Sequence, residues 1–199
     1  MVRMPLAAAL DVLRRARTDD EVVVTSMGAA REWVKLGSHP LDFAFVPSSM
    51  GQGTSLGLGI ALAQPERRVI VCNGDGSTLM NLGSLVTITA EAPQNLVVIV
   101  CDNGVYEVTG GQPTPGSGSA RAGRRDVDFA GVARGCGFES LFEFDDLKAW
   151  KRDVRKALDA RGPTFVALKV TAEPDAGTPR APGPGKDRAE AFRKAVAGP

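Results

Sequence analysis

Runs of apolar residues alternate with polar turns along most of the chain. The two most continuous runs are RRVIVC at residues 67–72 and NLVVIVC at 95–101. Both are rich in β-branched residues and almost unbroken, which is typical of strands buried on both faces of a parallel sheet. Shorter runs of the same kind are EVVVT, LDFAFVP, FESLFEF and TFVALKV. We therefore predict a mainly parallel sheet of about six strands.

Segments with helical character lie between these strands. The first, within MVRMPLAAALDVLRRART, places Ala and Leu at helical spacing and predicts an amphipathic helix rather than a targeting peptide. Further helices are predicted in SMGAAREWVKLG, in SLGLGIALAQ, from about Ser77 to Glu91, near Asp126 to Arg134, and from Asp145 to about Ala160. This alternation with short connections predicts right-handed crossovers and a doubly wound α/β fold, with helices on both faces of the sheet. We assign residues 1–171 to this domain.

Two segments interrupt the regular order. Residues 109–125, TGGQPTPGSGSARAGRR, are rich in Gly, Pro and Ser and too polar for a core element. They form either a flexible surface loop or an active-site flap that a ligand or partner orders. Residues 172–199 are predicted to be a Pro- and Gly-rich extended tail, with a short terminal helix that could dock on a neighbouring chain.

Charge and composition argue against several classes of function. The 199 residues include 24 Lys and Arg and 23 Asp and Glu, which leaves no broad basic field for nucleic acid or an anionic membrane. No apolar run approaches the ~20 residues of a membrane span, and we expect a cytoplasmic protein. The three cysteines are scattered and the one histidine, His39, stands in a loop, so a disulfide framework, a metal cluster and a catalytic triad are all disfavoured.

Polar clusters follow the two central strands where they end. Gly74, Asp75 and Gly76 come directly after the first strand, and Asn103 stands just after the second. Ligands of open α/β sheets bind at the carboxyl ends of the strands. Asp75 and Asn103 are separated by one helix and one strand (103 − 75 = 28 positions), so their side chains can meet and hold a divalent cation. A helix starting near Ser77 would direct its free amides to the same point, which suits a diphosphate.

These residues resemble a known cofactor motif. GDGS at 74–77, followed by Asn103 in DNGVY, is similar to the magnesium- and diphosphate-binding motif of thiamine diphosphate enzymes. Asp102 stands where the first Asn of that motif is common, whereas Asn103 matches the second Asn, which is the family's metal ligand. The resemblance implies that Asp75, Asn103 and the backbone carbonyl of Val105 bind Mg²⁺, and that an amide of Ser77 contacts the diphosphate.

The resemblance extends upstream of the motif. Met50 lies 25 positions before Asp75 (75 − 50 = 25), where the family has a large apolar residue that supports the bent shape of the cofactor. Taken alone, Met50 would be interpreted as a core residue. The likeness also assigns the Ser48 carbonyl and the Met50 amide to the aminopyrimidine edge. The full set of cofactor-binding residues that it implies is Thr25, Ser26, Gly28, Ser48, Met50, Gly74, Gly76, Ser77, Val105 and Tyr106.

Three stretches, TSMGAAREW, LDFAFVPSSMG and NGVYEVTGGQPT, resemble those 2-oxoacid decarboxylases of the family that act on sulfopyruvate or phosphonopyruvate. The resemblance implies a carboxy-lyase that converts a small 2-oxoacid to an aldehyde, with Thr109 and Gln112 near the substrate and Arg121 or Arg124 within reach. Two alternatives stay open: a 2-oxoacid carboligase or oxidoreductase subunit, and a non-catalytic regulatory subunit that binds the cofactor.

A partner chain is implied by what one short domain lacks. Family enzymes activate the cofactor with a glutamate that lies on a separate pyrimidine-binding domain. The resemblance therefore implies an α-type partner subunit that carries this domain and supplies the general acid/base glutamate in trans, in a hetero-oligomer. We do not assign that role to Glu91 or Glu107 of this chain.

Overall fold

The computed structural model describes residues 3–47, 50–120, 125–173 and 177–198. Its strands are β1 (Met4–Pro5), β2 (Val22–Ser26), β3 (Asp42–Phe45), β4 (Val69–Gly74), β5 (Leu96–Asp102), β6 (Val105–Tyr106), β7 (Gln112–Pro113), β8 (Ser140–Phe144) and β9 (Thr164–Thr171). Its α-helices are α1 (Leu6–Ala16), α2 (Met27–Trp33), α3 (Gln52–Ala63), α4 (Asp75–Met80), α5 (Gly83–Glu91), α6 (Phe129–Gly135), α7 (Leu147–Asp159) and α8 (Gly185–Ala197). Short 3-10 helices occupy Val34–Leu36, Glu107–Thr109 and Gly118–Ala120.

A parallel sheet forms the centre of the molecule. Its order is β1-β9-β5-β4-β2-β3, and β8 pairs with β9 as well, which gives seven strands. Every pairing in this sheet is parallel. The predicted doubly wound α/β fold is confirmed, and the two-residue strand β1 is an addition to the six predicted strands. β6 and β7 form a separate antiparallel ladder beyond the carboxyl ends of β4 and β5.

The sheet carries a hydrophobic core on each face. All seven residues of β5 are buried, and alternate residues of β4 and β5 enter opposite cores, as the period of two in a strand requires. On one face α1, α2 and α7 pack together, and the indole Nε1 of Trp150 donates to the carbonyl of Ala9 at 2.9 Å. On the other face lie α3, α5 and α6. Within the described ranges, no helix has both the length and the apolar character that a membrane crossing requires.

The helix predicted from Ser77 to Glu91 is wrong as a single element. The chain forms α4 and α5 instead, and Asn81 between them leaves the helical region with φ −138° and ψ 46°. The reason is a contact with a distant loop, because the amide Nδ2 of Asn81 donates to the carbonyl of Gly51 at 2.9 Å. This break leaves α4 with only six residues, so its macrodipole is smaller than the sequence prediction assumed.

The polar segment at 109–125 is partly built into the fold. Its strand β7 is exposed and pairs with β6, whereas Thr114 just beyond it is completely buried, which the polar composition of the segment did not predict. The physical reason is that the hydroxyl of Thr114 has a buried carboxylate partner. Residues 121–124, which include Arg121 and Arg124, lie outside the described ranges.

The terminal helix α8 packs against its own chain. The ring of Phe192 lies against that of Phe43 of β3 in a tilted arrangement, with 4.9 Å between the ring centroids. Phe192, Ala195 and Val196 also pack against the core on the α3 side of the sheet. The predicted short terminal helix is present and contacts the edge strand β3; its docking on a neighbouring chain stays a prediction.

Candidate active site

The candidate site lies where β4 and β5 end side by side. Gly74 pairs in register with Cys101, so the residues that follow each strand start at the same level of the sheet. Asp75 begins α4 directly after β4, and Asn103 follows β5. The convergence that the sequence predicted for these two segments therefore follows from the parallel pairing of their strands.

Asp75 is a buried carboxylate that accepts hydrogen bonds from two groups of the chain. Its side chain is 2% exposed, and Oδ2 accepts hydrogen bonds from the backbone N–H of Gly104 at 3.1 Å and from the hydroxyl of Thr114 at 3.2 Å. Burial, followed by the negative charge of Asp102, raises the pKa of Asp75 to about 6. Desolvation disfavours the charged form of an acid, so a cation beside Asp75 would offset a cost that the fold imposes.

Asn103 and Val105 form a turn on the other side of this carboxylate. The amide oxygen of Asn103 accepts from the backbone N–H of Val105 at 2.9 Å, which fixes the orientation of the side chain. Gly104 between them has φ +77°, a conformation that favours glycine. Together with Asp75, this turn brings hard oxygen ligands to one place, the kind of donor that Mg²⁺ prefers.

Asp102 is engaged on the far side of the turn. Lys169 of β9 is its register partner, and Nζ of Lys169 donates to Oδ2 of Asp102 at 2.6 Å. Both side chains are largely buried, so the acidic residue that replaces the common Asn of the motif is neutralised within the sheet.

Gly76 allows an aromatic ring to approach the backbone at the start of α4. A Cβ atom added there would lie 2.4 Å from Cε1 of Tyr106, closer than any side chain tolerates. A Cβ atom added at Gly74 would meet nothing within 4 Å, so open space remains above that residue. The Gly-Asp-Gly sequence thus combines a close ring contact with room for a ligand.

One cavity lies against these residues and reaches α2 and Met50. It brings together ten of the residues that the sequence predicts for the site: Gly28, Met50, Gly74, Asp75, Gly76, Ser77, Asn103, Val105, Tyr106 and Thr109. Met50 is 40% exposed, so it lies at the rim of the cavity rather than in the core. The roles of these residues in binding stay predictions.

Four other predicted residues have different positions. Thr25 and Ser26 are buried at the end of β2 and do not line the cavity, and the hydroxyl of Ser26 donates to Oδ1 of Asn73 at 2.7 Å. Gln112 is exposed and bonded to Thr109, whose hydroxyl lies 3.1 Å from its side-chain oxygen. Ser48 lies outside the described residues.

Sequence reasoning missed a buried ion network beside the cavity. Glu107, which lines the cavity, accepts at Oε2 from the guanidinium of Arg31 at 3.0 Å and at Oε1 from the backbone N–H of Glu173 at 2.8 Å. Arg31 also binds Glu32 at 2.7 Å, and all three charged side chains are less than 10% exposed. The sequence carries no local signal for this network, because 76 positions separate Arg31 from Glu107.

The oxygen atoms that line the cavity are suitable ligands for a divalent cation that is bound together with a diphosphate. Asp75 and Asn103 offer hard oxygens, and the absence of a Cβ at Gly74 leaves the backbone open. No group of three or more His, Cys, Asp or Glu side chains in the described ranges is arranged to hold a metal ion. Because Arg31 already binds the carboxylate of Glu107, a cation at this place would depend on amide, carbonyl and ligand oxygens beside the carboxylate of Asp75.

Residues 7–168 match the family described as the thiamine pyrophosphate enzyme, C-terminal TPP-binding domain. The match covers most of the chain, and the chain belongs to this family.

The similar proteins include a decarboxylase β subunit and a longer decarboxylase. The sulfopyruvate decarboxylase subunit beta of Methanothermobacter thermautotrophicus is 39% identical over 153 residues, which are 76% of this chain and 75% of the relative. The phosphonopyruvate decarboxylase of Streptomyces viridochromogenes is 40% identical over 164 residues, which are 82% of this chain but only 39% of the relative. The chain thus spans most of a β subunit and less than half of a phosphonopyruvate decarboxylase.

The fold also has a solved counterpart. An X-ray structure from Mycobacterium smegmatis, whose description proposes a thiamin diphosphate-dependent enzyme, superposes with a TM-score of 0.70. The likeness covers 85% of this chain and 32% of the other at 23% sequence identity, so it supports the fold alone.

Proposed function

We propose that the chain is the diphosphate-binding subunit of a thiamine diphosphate- and Mg²⁺-dependent 2-oxoacid decarboxylase that acts on 3-sulfopyruvate or phosphonopyruvate. The observation that carries the proposal is the convergence of Asp75, Asn103 and Val105 on one cavity at the ends of β4 and β5. The identity to decarboxylases named for these two substrates supports the choice of reaction.

Each residue of the cavity has a role in this proposal. Asp75, Asn103 and the carbonyl of Val105 hold Mg²⁺, and the backbone from Gly74 to Ser77 faces the diphosphate. The apolar side chain of Met50 supports the cofactor at the rim and helps to exclude water. When bound, the cofactor supplies an electron sink for the bonding electrons that CO₂ leaves behind.

A second chain completes the site in this proposal. The cavity of this chain has a volume of about 50 Å³, whereas pockets that bury a drug-sized ligand have about 300–1,000 Å³. A cofactor held here would therefore leave most of its surface uncovered by this chain. A pyrimidine-binding α-type subunit covers the rest and contributes the glutamate, and the subunit naming of similar decarboxylases supports a hetero-oligomer.

The proposed substrate contact is at Thr109, which lines the cavity and is held by Gln112. Hydroxyl and amide groups at this position would donate to the sulfonate or phosphonate of the substrate. A cytoplasmic location is part of the same proposal, because Cys72, Cys101 and Cys136 are all free thiols.

The test measures CO₂ release by the chain co-purified with its partner subunit, with thiamine diphosphate and Mg²⁺ present. Carboxyl-labelled 3-sulfopyruvate, phosphonopyruvate and pyruvate are offered separately. We expect release from one of the first two, and its loss together with Mg²⁺-dependent cofactor binding in Asp75→Ala. Asp145→Ala, which removes an exposed acid outside the cavity, should stay active. The absence of turnover with every 2-oxoacid would refute the proposal, and activity retained in Asp75→Ala would refute the role of this site.

A further inference from the structure

The terminal helix α8 is joined to β3 by one arginine. The guanidinium of Arg188 donates to the carbonyl of Ala44 at 2.6 Å through Nη1 and to the carbonyl of Val46 through Nη2. The same guanidinium lies over the ring of Phe43, 5.8 Å from its centroid. Arg188 therefore holds two backbone carbonyls and a side chain at the end of one strand.

The position of β3 explains why these carbonyls accept from a side chain. Among the strands that the structure describes, β3 pairs with β2 alone, so it is an edge strand and one row of its backbone groups has no strand partner there. Val46 follows β3 directly, and its backbone N–H donates to the carbonyl of Ala44 at 2.9 Å, so the chain turns at this point with both carbonyls in contact with Arg188. The planar fork of a guanidinium, with its several donors, suits two such acceptors.

The strand that Arg188 contacts lies beside β2, which precedes residues of the candidate site. Val46 is four positions before Met50, which lies at the rim of the cavity. On its other side β3 pairs with β2 up to Ser26 and Phe45, and β2 continues into Met27 and Gly28, which also line the cavity. A shift in the end of β3 would thus disturb its ladder with β2 and the cavity wall that follows β2.

We propose that Arg188 is a positioning residue for the cofactor site, which fixes the end of β3 and, through the pairing of β3 with β2, the cavity wall at Met27 and Gly28. The effect on cofactor binding rests on the proposed function. The restraint of the end of β3 by Arg188, which is the mechanical part of the proposal, does not. Phe192, Ala195 and Val196 hold α8 against the core through apolar contacts. Arg188 on the docked helix then restrains the end of β3 through its hydrogen bonds.

The first experiment measures hydrogen exchange by mass spectrometry in the chain without cofactor. Arg188→Ala is compared with Arg188→Lys and with Arg193→Ala, which removes the same charge from an exposed position of the same helix. Peptides that cover residues 42–52 should exchange about tenfold faster in Arg188→Ala, because local opening becomes easier, while peptides from β4 and β5 keep wild-type rates. Arg188→Lys should lie between the two, and Arg193→Ala should match the wild type.

Two results would overturn the mechanical part. One is an unchanged rate at residues 42–52 in Arg188→Ala. The other is an equal rise in β4 and β5, which would mean that Arg188 contributes only to global stability. Phe192→Ala gives a second route if Arg188→Ala does not fold, since a loosened α8 should produce the same local increase.

The second experiment measures the dissociation constant for thiamine diphosphate with Mg²⁺ in the complex with the partner subunit. We expect affinity about tenfold weaker in Arg188→Ala, with kcat retained at saturating cofactor, partial rescue in Arg188→Lys and no change in Arg193→Ala. Loosening at residues 42–52 with unchanged affinity would refute the positioning role and leave the proposed function intact. Failure of the wild-type complex to bind cofactor would refute the proposed function, and the exchange rates would still decide the mechanical part.

Discussion

Asp75→Asn should stabilise the protein in the absence of cation while it removes the proposed metal site. The substitution keeps the size of the side chain and an oxygen that can accept from Gly104 and Thr114. It removes a negative charge that is 2% exposed and that faces the charge of Asp102. Because the fold disfavours that charge, its removal is expected to be favourable in the empty protein.

The magnitude follows from the pKa of Asp75, which the fold raises from 3.8 to about 6. A difference of about 2 pH units at 1.36 kcal/mol per unit corresponds to about 3 kcal/mol. The folded state binds the proton of Asp75 more tightly than the unfolded state. The resulting contribution to the free energy of unfolding is therefore present below pH 4 and is lost as the pH rises through about 6. The wild type should therefore be less stable than Asp75→Asn by up to about 3 kcal/mol at pH 8 and nearly equal to it at pH 4.

The assay is urea unfolding of both proteins at several pH values from 4 to 8 with a chelator present. All other titrating groups are shared, so the difference in free energy of unfolding isolates Asp75. Asp145→Asn at an exposed position serves as the control and should show a small difference that does not follow the titration of Asp75. With the partner subunit, Mg²⁺ and thiamine diphosphate should raise the unfolding midpoint of the wild type and leave that of Asp75→Asn unchanged. A variant less stable than the wild type at pH 8, or a difference independent of pH, would refute the reasoning.

Two further substitutions test the packing around the cavity. Gly76→Ala should cost about 1–3 kcal/mol because its Cβ collides with the ring of Tyr106, and Tyr106→Ala in the same chain should recover part of the loss; an unchanged urea midpoint in Gly76→Ala would contradict the close contact. Arg31→Met should cost about 3–5 kcal/mol because it leaves the carboxylate of Glu107 buried without its guanidinium, whereas Glu32 keeps Lys35 at 2.9 Å. Glu107→Gln should partly rescue it in a double-mutant cycle, whereas strictly additive losses would show that the pair is not coupled.

The sequence was sufficient to predict the sheet and the convergence of the segments that follow β4 and β5. The β-branched runs that became β4 and β5 are unbroken because both faces of these strands are covered, and the covering helices enforce parallel pairing. Once the strands are parallel, the residues after them must meet at one edge. The meeting of Asp75 with the segment around Asn103 is thus a consequence of local pattern and topology.

The features that sequence reasoning did not find depend on contacts between distant segments. The break at Asn81 depends on the carbonyl of Gly51, and the burial of Thr114 depends on Asp75. Neither residue has a neighbour in the sequence that signals its partner. The docking of α8 was missed for a related reason. In the sequence Arg188 and Phe192 are only two residues of a short polar helix, and their partners lie on the distant edge strand β3.

The placement of α8 has a consequence for the exposed edge of the sheet. An uncovered edge strand exposes a row of backbone groups to which a strand from another molecule can add, and such pairing leads to aggregation. By occupying the carbonyls of Ala44 and Val46, Arg188 removes part of that template. Arg188 thereby leaves fewer free acceptors at this edge for a strand of another molecule.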